Sequence, residues 1–349
     1  MQHPEVTLLD KDDLKGLEDY LQQRSWIEDG ETVVRAAPAG EGNMNTTLRI
    51  WVSKSVRSDP SDRTFILKQS YPWVAKYDQI AAPWDRILQE AQFYQMVHQN
   101  PAVGSKMPKL LELDSVARVV LFEDLGAVED LSSLYTGREL KSLELKRLTD
   151  WLCQLHSLPF NDAEKQRLAN HDMRTLNHEH IFLLPLRSDN GLDLNAITPG
   201  LKSLALQLQR ESCFVKTVEA LGHQYYLSDG PVLLHGDYFP GSWLGTGEGM
   251  RIIDPEFAFF GHAEFDAGVL LAHLILAEQP TFLIRQFLKD YKISVPFSMN
   301  GIVQIAGVEI MRRILGVAQL PIKADLTQKQ KLLTIARQFV LNPNETTFS

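Results

Sequence analysis

The sequence predicts an α+β protein with two lobes, a small lobe built on β-strands and a larger lobe made mostly of helices. Two observations support this fold class. Five β-like runs fall before residue 125, and the segments after Leu131 are helix-rich, with few β-branched runs before Val232. The predicted strands are Thr32–Ala36, Thr47–Val52, Phe65–Gln69, Lys109–Leu113 and Ala117–Phe122. We place the lobe boundary at Glu123–Gly126, which gives lobes of residues 1–125 and 126–349.

Length, composition and charge narrow the class of protein. The chain has 349 residues, of which 44% are apolar and 23% are charged, and its net charge is −9. These values are ordinary for a globular protein of about two domains. No targeting signal is apparent, and the longest apolar run, Ala267–Ala277, is shorter than the ~20 residues that cross a bilayer. We therefore expect a soluble cytoplasmic protein with a small-molecule partner and no nucleic-acid or membrane partner.

The small lobe begins with a predicted amphipathic helix over Asp10–Arg24, in which Leu14, Leu17 and Leu21 share one face. Between the first two strands, Gly40 and Gly42 lie one residue apart. Two glycines in a turn let backbone N–H groups approach phosphates without obstruction by a Cβ atom. The alternative is a glycine-bearing hairpin turn that binds nothing.

Lys68 lies in the third strand, on the side opposite Leu67, where it can point beneath the glycine turn. About twenty residues later, a predicted helix over Trp84–His98 places Glu90 where it can form an ion pair with Lys68. A strand lysine oriented by a helix glutamate is typical of kinase-type phosphoryl transfer. A solvated strand lysine is the alternative for Lys68 taken alone.

The connector between the lobes, Glu123 to Gly126, is where we expect an adenine to hydrogen-bond to backbone groups. In the helical lobe, a helix is predicted over Glu144–His156, and its last residue is interpreted as a cap or packing group rather than a catalyst. His178 and His180 face different sides of a helix, so a metal site there is disfavoured.

Two short apolar runs of the helical lobe, Val232–Leu234 and Met250–Ile253, each lead into acidic residues. After the first run, Asp237 is predicted to be the base that accepts the proton of a substrate hydroxyl. His235 would orient this loop through hydrogen bonds of its ring. Ser242 lies five residues after the base, where a protein kinase carries a metal-binding asparagine, and is predicted to be a weaker metal ligand.

After the second run, Asp254 and Glu256 are predicted to hold magnesium, because alternate residues of an extended segment face the same side. The alternative is a hairpin with surface acids, which the surrounding apolar residues disfavour. Asp266 is interpreted as a structural acceptor that holds the catalytic loop.

The segment Gly301–Leu320 is predicted to be an apolar helix that carries Arg312 and Arg313. An arginine on a buried face needs an anionic or polar partner. A substrate is one such partner. The alternative is an intrahelical pair with Glu309, three and four residues earlier.

These motifs together resemble the aminoglycoside phosphotransferase and choline kinase superfamily, and within it the 5-methylthioribose kinase branch. The segments that carry the resemblance are Gly40 to Asn45, Lys68-Gln69, Glu123 to Leu125, His235 to Asp237 with Gly241-Ser242, Asp254 to Phe259, and Arg312-Arg313. The resemblance implies a bilobal protein-kinase-like fold, ATP with Mg²⁺, phosphorylation of a sugar hydroxyl, and a homodimer as one assembly.

By position, the resemblance implies a role for each matching residue. Asp237 would be the base and contact the substrate with Arg312 and Arg313, while Asp254 and Glu256 would be metal ligands. The nucleotide would be bound in the first lobe by Gly40, Gly42, Asn43, Asn45, Lys68, Glu90, Glu123 and Leu125. Tyr238-Phe239-Pro240 depart from the branch's pattern directly after the base, a change that affects the choice of substrate more than phosphoryl transfer.

Three hypotheses follow from the sequence. The first is an ATP-dependent kinase of methylthioribose or a related pentose. The second is a kinase of the same fold that acts on an amino alcohol or an aminoglycoside, which the two arginines disfavour because such substrates are cationic. The third is a nucleotide-binding protein without turnover, which is disfavoured because every charged catalytic position is occupied.

Overall fold

A computed structural model of the chain describes residues 8–40, 42, 44–54 and 62–345. The chain divides into two compact units, Met1–Val128 and Glu129–Ser349. The division falls three residues after the boundary that the sequence predicts, and each unit is described by itself below.

The first unit is built on an antiparallel five-stranded sheet. Its strands are β1 (Thr32–Pro38), β2 (Thr46–Ser53), β3 (Arg63–Gln69), β6 (Leu110–Asp114) and β7 (Val119–Glu123). They lie in the order β1-β2-β3-β7-β6. Helix α1 (Leu14–Gln23) buries Leu17 and Leu21 in the same apolar cluster as Ile50 and Leu67 of the sheet. The predicted amphipathic helix and all five predicted strands are thus present, with ends shifted by a few residues.

The rest of the first unit lies between β3 and β6. A short hairpin of β4 (Trp73–Val74) and β5 (Tyr77–Ala81) precedes helix α2 (Arg86–Val97), and α3 (Pro101–Gly104) follows. The sequence predicts α2 to within two residues. The hairpin is not among the predicted strands, because β4 has only two residues and all five residues of β5 are exposed, so neither shows an alternation of buried and exposed side chains.

The second unit is mostly helical. Its helices are α4 (Ser142–His156), α5 (Asp162–Arg167), α6 (His171–His178), α7 (Leu194–Ile197), α8 (Leu201–Gln209), α9 (Ser212–Gly222), α10 (Glu264–Leu276), α11 (Thr281–Asp290), α12 (Met299–Leu315) and α13 (Leu326–Leu341). Short 3₁₀ turns lie at Leu131–Thr136, Leu184–Leu186, Pro240–Ser242 and Pro343–Glu345, and π turns lie at Glu179–Leu183 and His223–Leu227.

Four short strands interrupt these helices: β8 (Val232–Leu234), β9 (Trp243–Thr246), β10 (Gly249–Ile252) and β11 (Phe259–Gly261). They form two antiparallel pairs, β8 with β11 and β9 with β10. The two apolar runs that the sequence singles out are therefore β8 and β10, and each pairs with a strand that was not predicted.

The core of the second unit is formed by α10 and α12, which pack on each other, and α13 packs on the other side of α12. Nearly every side chain of α10 and all of the α12 side chains from Ile305 to Leu315 are buried. No helix in the described part of the chain is both long enough and apolar enough to cross a membrane.

Candidate active site

The first unit contains the predicted ion pair between a strand lysine and a helix glutamate. Lys68 Nζ on β3 donates to Glu90 Oε2 on α2 at 2.7 Å. Both side chains are buried, and burial strengthens such a pair while making the loss of either partner costly. The geometry is the one expected of a lysine held in place to contact a phosphate.

The glycine segment adopts a conformation that partly requires glycine. Gly40 has a φ of +88°, and no atom lies within 4 Å of the position that a Cβ would take. Gly42 has a similarly open surrounding, with Asn45 O at 4.0 Å. Asn43 lies outside the described residues. The open side of both glycines is compatible with the predicted approach of a phosphate group to the backbone.

Asn45 belongs to a buried hydrogen-bond network that the sequence does not reveal. Arg86, the first residue of α2, is fully buried and donates to Asn45 Oδ1 at 2.8 Å. It also donates to the carbonyl oxygens of Met44, Tyr71 and Trp73 at 2.5–3.1 Å. Arg86 therefore fixes the chain just after the glycine segment, and the side chain of Asn45 contributes by accepting one of its hydrogen bonds.

The connector leaves backbone groups open for a ligand. Glu123 exchanges hydrogen bonds with Lys109, as donor through its N–H at 2.9 Å and as acceptor through Oε2 at 3.1 Å. Asp124 accepts from Arg49 of β2 at 3.0 Å. Within the described residues, no hydrogen bond reaches the backbone N–H or C=O of Leu125. The backbone of Leu125 is thus free to bind an adenine.

In the second unit, the loop after β8 is held by Asp266 of α10. The buried Asp266 carboxylate accepts from the backbone N–H of His235 at 2.7 Å and of Gly236 at 3.0 Å. The structure confirms the predicted structural role of Asp266. Behind it, His156 contributes Nε2 at 3.2 Å from Asp266 Oδ2, and its Nδ1 lies 2.7 Å from Tyr291 Oη. His156 thus supports the catalytic loop through Asp266.

His235 connects the catalytic loop to the segment that carries Asp254. Its Nε2 lies 2.9 Å from Ile253 O, and its Nδ1 accepts from the Asp237 N–H at 3.3 Å. One nitrogen must donate and the other must accept, so the ring is neutral with its proton on Nε2. Burial lowers the pKa of His235, which agrees with that form. The ring therefore orients the loop and is not placed to exchange a proton with a substrate.

Ser242 closes the same loop. Its hydroxyl donates to Asp237 O at 3.0 Å, and its N–H donates to Phe239 O at 2.8 Å. These bonds fix the backbone at the predicted base and directly after it. The predicted metal contact of Ser242 would have to use a hydroxyl oxygen whose proton is already donated to the loop.

The predicted conformation of the acidic segment is wrong, because Asp254 is not extended. Asp254 has a φ of +66°, and Ala258 N–H donates to Pro255 O at 3.0 Å in a turn. A left-handed conformation at a residue other than glycine costs about 1–3 kcal/mol and is concentrated at functional sites. The alternation argument for Asp254 and Glu256 therefore does not hold, and their predicted role rests on their chemistry and their place after β10.

The two carboxylates suit magnesium by the chemistry of their oxygens. No group of three or more His, Cys, Asp or Glu side chains among the described residues is arranged to hold a metal ion. Magnesium sites of phosphate-transferring enzymes use one or two carboxylates and complete the shell with phosphates and water. The donor set of Asp254 and Glu256 fits that type of site.

Asp237 is flanked by both arginines of α12. Arg312 and Arg313 each donate an Nη2 group to Asp237 Oδ1 at 3.2 Å. The Asp237 side chain is 22% exposed, and among the described residues no hydrogen bond reaches its Oδ2. One oxygen of the carboxylate is thus held by two positive charges, and the other is open to a ligand.

Glu309, one turn earlier on α12, accepts hydrogen bonds from the Nε groups of the same two arginines. Its Oε1 accepts from Arg313 Nε at 2.7 Å, and its Oε2 accepts from Arg312 Nε. Burial raises the pKa of Glu309, but the charges of Arg312 and Arg313 outweigh that effect and hold it well below its ordinary value. The intrahelical pair, which the sequence presents as the alternative, is formed, and both arginines also contact the predicted base. Their predicted contact with a substrate stays a prediction.

The two aromatic residues that follow the base are used differently. Tyr238 is fully buried, stacks on Trp151 with ring centroids 5.3 Å apart, and donates to Leu148 O at 2.9 Å. Phe239 lies against the Arg313 guanidinium, 4.7 Å from ring centroid to Cζ. Both residues depart from the pattern of the branch that the sequence resembles. Phe239 contacts Arg313, one of the two arginines beside the base, whereas Tyr238 packs in the core.

The chain matches the model of one protein family over most of its length. The model, described as the phosphotransferase enzyme family (APH), matches residues 53–301. The chain belongs to the phosphotransferase enzyme family. The matched range includes Lys68, Glu90, Asp237, Asp254 and Glu256 and ends before the arginines of α12.

Curated relatives within this family carry the name methylthioribose kinase. The protein of Erwinia tasmaniensis is 26% identical over 275 residues, which is 74% of this chain. The protein of Exiguobacterium sibiricum is 26% identical over 263 residues, which is 72% of this chain. This chain spans 64% of the length of each of these relatives.

Two solved structures share the fold of this chain. A spectinomycin phosphotransferase, solved with ADP and spectinomycin, is 14% identical with a TM-score of 0.55, and the match covers 95% of this chain and 98% of that one. A choline kinase of Streptococcus pneumoniae is 13% identical with a TM-score of 0.51, over 93% and 98% of the two chains. These likenesses confirm the predicted protein-kinase-like α+β fold.

Proposed function

We propose that this phosphotransferase is an ATP-dependent kinase that transfers the γ-phosphoryl group to a hydroxyl of a sugar, methylthioribose or a related pentose. The observation that carries the proposal is the contact of Asp237 Oδ1 with Arg312 and Arg313. This arrangement leaves Oδ2 as the oxygen that accepts the proton of the attacking hydroxyl. The names of the curated relatives support the sugar as the acceptor class.

The first unit would bind the nucleotide. The Lys68–Glu90 pair presents a fixed positive charge for a phosphate, the open glycine turn offers backbone N–H groups, and the backbone of Leu125 is free for the adenine. Asp254 and Glu256 would hold Mg²⁺, which, when bound, neutralises charge on the phosphates. His235, Ser242 and Asp266 hold the loop so that Asp237 needs no reorganisation when the hydroxyl arrives.

Arg312, Arg313, Asp237 and Glu309 form a cluster of charges, called the arginine cluster here, whose charge balance supports an uncharged acceptor. The negative charges of Asp237 and Glu309 balance the positive charges of Arg312 and Arg313. Each arginine uses Nε and Nη2 in these pairs, and neither Nη1 donates a hydrogen bond within the described residues. Two free N–H donor groups in a neutral cluster suit the oxygens of a sugar.

The same cluster disfavours an amino alcohol or an aminoglycoside as the acceptor. The free Nη1 groups of both arginines are hydrogen-bond donors only, and an ammonium group offers them no acceptor. The likeness to an aminoglycoside phosphotransferase and a choline kinase concerns the fold alone.

We also propose that the enzyme lies in the cytoplasm and forms a homodimer, as the family resemblance of its sequence implies.

The deciding experiment is a coupled ADP-release assay with ATP and Mg²⁺ against methylthioribose, ribose, choline and an aminoglycoside. We expect turnover with methylthioribose or another pentose. Asp237→Asn should lower the rate by about 10²–10⁴-fold, because the general base is lost. The matched control is Asp150→Asn, which makes the same chemical change at a half-exposed surface carboxylate of α4 and should leave the rate unchanged.

Two results would overturn the proposal. Turnover with choline or the aminoglycoside alone would reject the sugar as the acceptor. Equal rates for wild type and Asp237→Asn would reject Asp237 as the base, whatever the acceptor.

A further inference from the structure

We propose that Glu309, supported by His273 and Tyr135, is a positioning residue that sets how Arg312 and Arg313 hold the base Asp237. The inference rests on the proposed function, in which Asp237 accepts the proton of the acceptor. It adds Glu309 of α12 and two residues from other elements, Tyr135 of the 3₁₀ turn Leu131–Thr136 and His273 of α10, to a site that the motifs alone confine to the catalytic loop and the twin arginine.

The first step is the geometry of the Glu309 carboxylate. Glu309 is almost fully buried and accepts from three donors, namely Arg312 Nε, Arg313 Nε and His273 Nε2, the last at 2.9 Å. A buried carboxylate is costly unless charged partners and hydrogen bonds compensate for the lost water. Three donors compensate for the lost water here, and all three are satisfied together in one orientation of the carboxylate.

The second step is the protonation of His273. Glu309 is ionised beside two arginines, so the ring nitrogen that faces it, Nε2, carries the proton and donates. The other nitrogen, Nδ1, then accepts from Tyr135 Oη at 2.6 Å. Burial lowers the pKa of His273 to about 4, and the nearby charge of Arg313 acts in the same direction. The imidazole is therefore neutral with a single proton position, and Tyr135 holds it there.

The third step connects this network to the base. Glu309 binds the Nε edge of each guanidinium, and the same guanidinium donates Nη2 to Asp237 Oδ1. A planar guanidinium that is fixed at Nε has a fixed direction at Nη2 and Nη1. Glu309 thus limits both arginines to one oxygen of Asp237. It keeps Oδ2 for the acceptor hydroxyl and keeps both Nη1 groups aimed away from the base.

Without the carboxylate of Glu309, the two arginines would keep one anionic partner, Asp237. Guanidinium groups bind a carboxylate bidentately when nothing restrains them, so Oδ2 would be taken as well. The Nη1 donors that the acceptor needs would move at the same time. Glu309→Gln should therefore damage both the proton transfer and the binding of the acceptor, while the nucleotide-binding residues of the first unit keep their contacts.

The experiment measures steady-state kinetics of Glu309→Gln with ATP and the acceptor found in the screen. We expect kcat to fall by about 10²-fold, as for a small misplacement of reacting groups. The KM for the acceptor should rise while the KM for ATP stays unchanged. A purely structural role would reduce the folded fraction and move neither KM. The control is Glu219→Gln, the same change at an exposed glutamate of α9.

Tyr135→Phe keeps the test decisive if Glu309→Gln does not fold. It removes one hydroxyl and keeps the ring, and it should lower kcat several-fold through His273 and Glu309. The double variant Tyr135→Phe with Glu309→Gln should be no slower than Glu309→Gln alone, because both act through one network. Additive losses, or a Tyr135→Phe variant with wild-type kcat, would overturn the proposal.

A readout without any acceptor separates this proposal from the function itself. In ¹⁵N NMR spectra, the Nε–H groups of Arg312 and Arg313 should be protected from exchange with water in the wild type and exposed in Glu309→Gln. Wild-type protein that phosphorylates no sugar but shows this protection would reject the function and retain the network. Arginine Nε–H groups that exchange equally in both proteins would reject the network.

Discussion

His273 should make the protein lose stability in mild acid. The imidazole is fully buried between Tyr135 Oη, Glu309 and Arg313, and burial together with Arg313 lowers its pKa to about 4 from an ordinary value of 6.5. In the unfolded chain the ring binds a proton below about pH 6.5, whereas in the folded protein it stays neutral down to about pH 4. The free energy of unfolding that this group contributes is therefore complete above pH 6.5 and is lost as the pH falls from 6.5 to 4.

The size of the effect follows from the shift. A difference of about 2.5 pKa units at about 1.36 kcal/mol per unit amounts to about 3 kcal/mol. Replacing His273 by Gln removes this titration, because an amide is neutral throughout the range. The stability advantage of the wild type over His273→Gln should thus shrink by about 3 kcal/mol between pH 7 and pH 4. Below pH 4 the contribution of His273 should change no further.

The assay is urea unfolding of both proteins at pH 7, 6, 5 and 4, followed by circular dichroism and tryptophan fluorescence. Other groups, including His235, whose pKa is also lowered by burial, titrate in both proteins and cancel in the difference. Curves that stay parallel over the whole range would show that His273 takes up its proton in the folded state at an ordinary pH. That result would refute the neutral imidazole on which the assigned proton positions depend.

Two further predictions concern the backbone of the catalytic loop. Gly236→Ala should cost at least about 3 kcal/mol in urea unfolding, since its φ of +85° strains an alanine and a Cβ would lie 2.1 Å from Phe257 O. Gly40→Ala, with a similar φ but open space, should cost only about 1–2 kcal/mol, and equal costs would contradict the crowding at Gly236. Asp266→Asn should lower stability by about 1–3 kcal/mol, because one amide oxygen cannot replace two carboxylate oxygens for the N–H groups of His235 and Gly236. The same variant should slow turnover in the ADP-release assay. If stability and turnover were both unchanged, the loop would hold its conformation without Asp266.

Much of the fold and the order of the site residues could be predicted from the sequence, since they depend on local patterns. Alternating apolar residues determine the five-stranded sheet, and helical spacing determines α2 and α12. Once β3 and α2 are predicted, the Lys68–Glu90 pair follows from the face of the strand that carries Lys68 and the face of the helix that carries Glu90. The place of Asp237 follows in the same way from an apolar run that ends at a polar loop.

The tertiary structure alone decided how the base is held. Tyr135 and His273 are 138 residues apart in sequence, His273 and Glu309 are 36 apart, and Arg313 and Asp237 are 76 apart. No local period relates such positions, and each side chain alone has an ordinary interpretation as a core or surface group. The left-handed backbone of Asp254 and the burial of Arg86 are equally invisible in the sequence. The sequence determined which chemical groups the site contains, whereas packing of distant segments determined their proton positions, their charge balance and the oxygen of Asp237 that stays open.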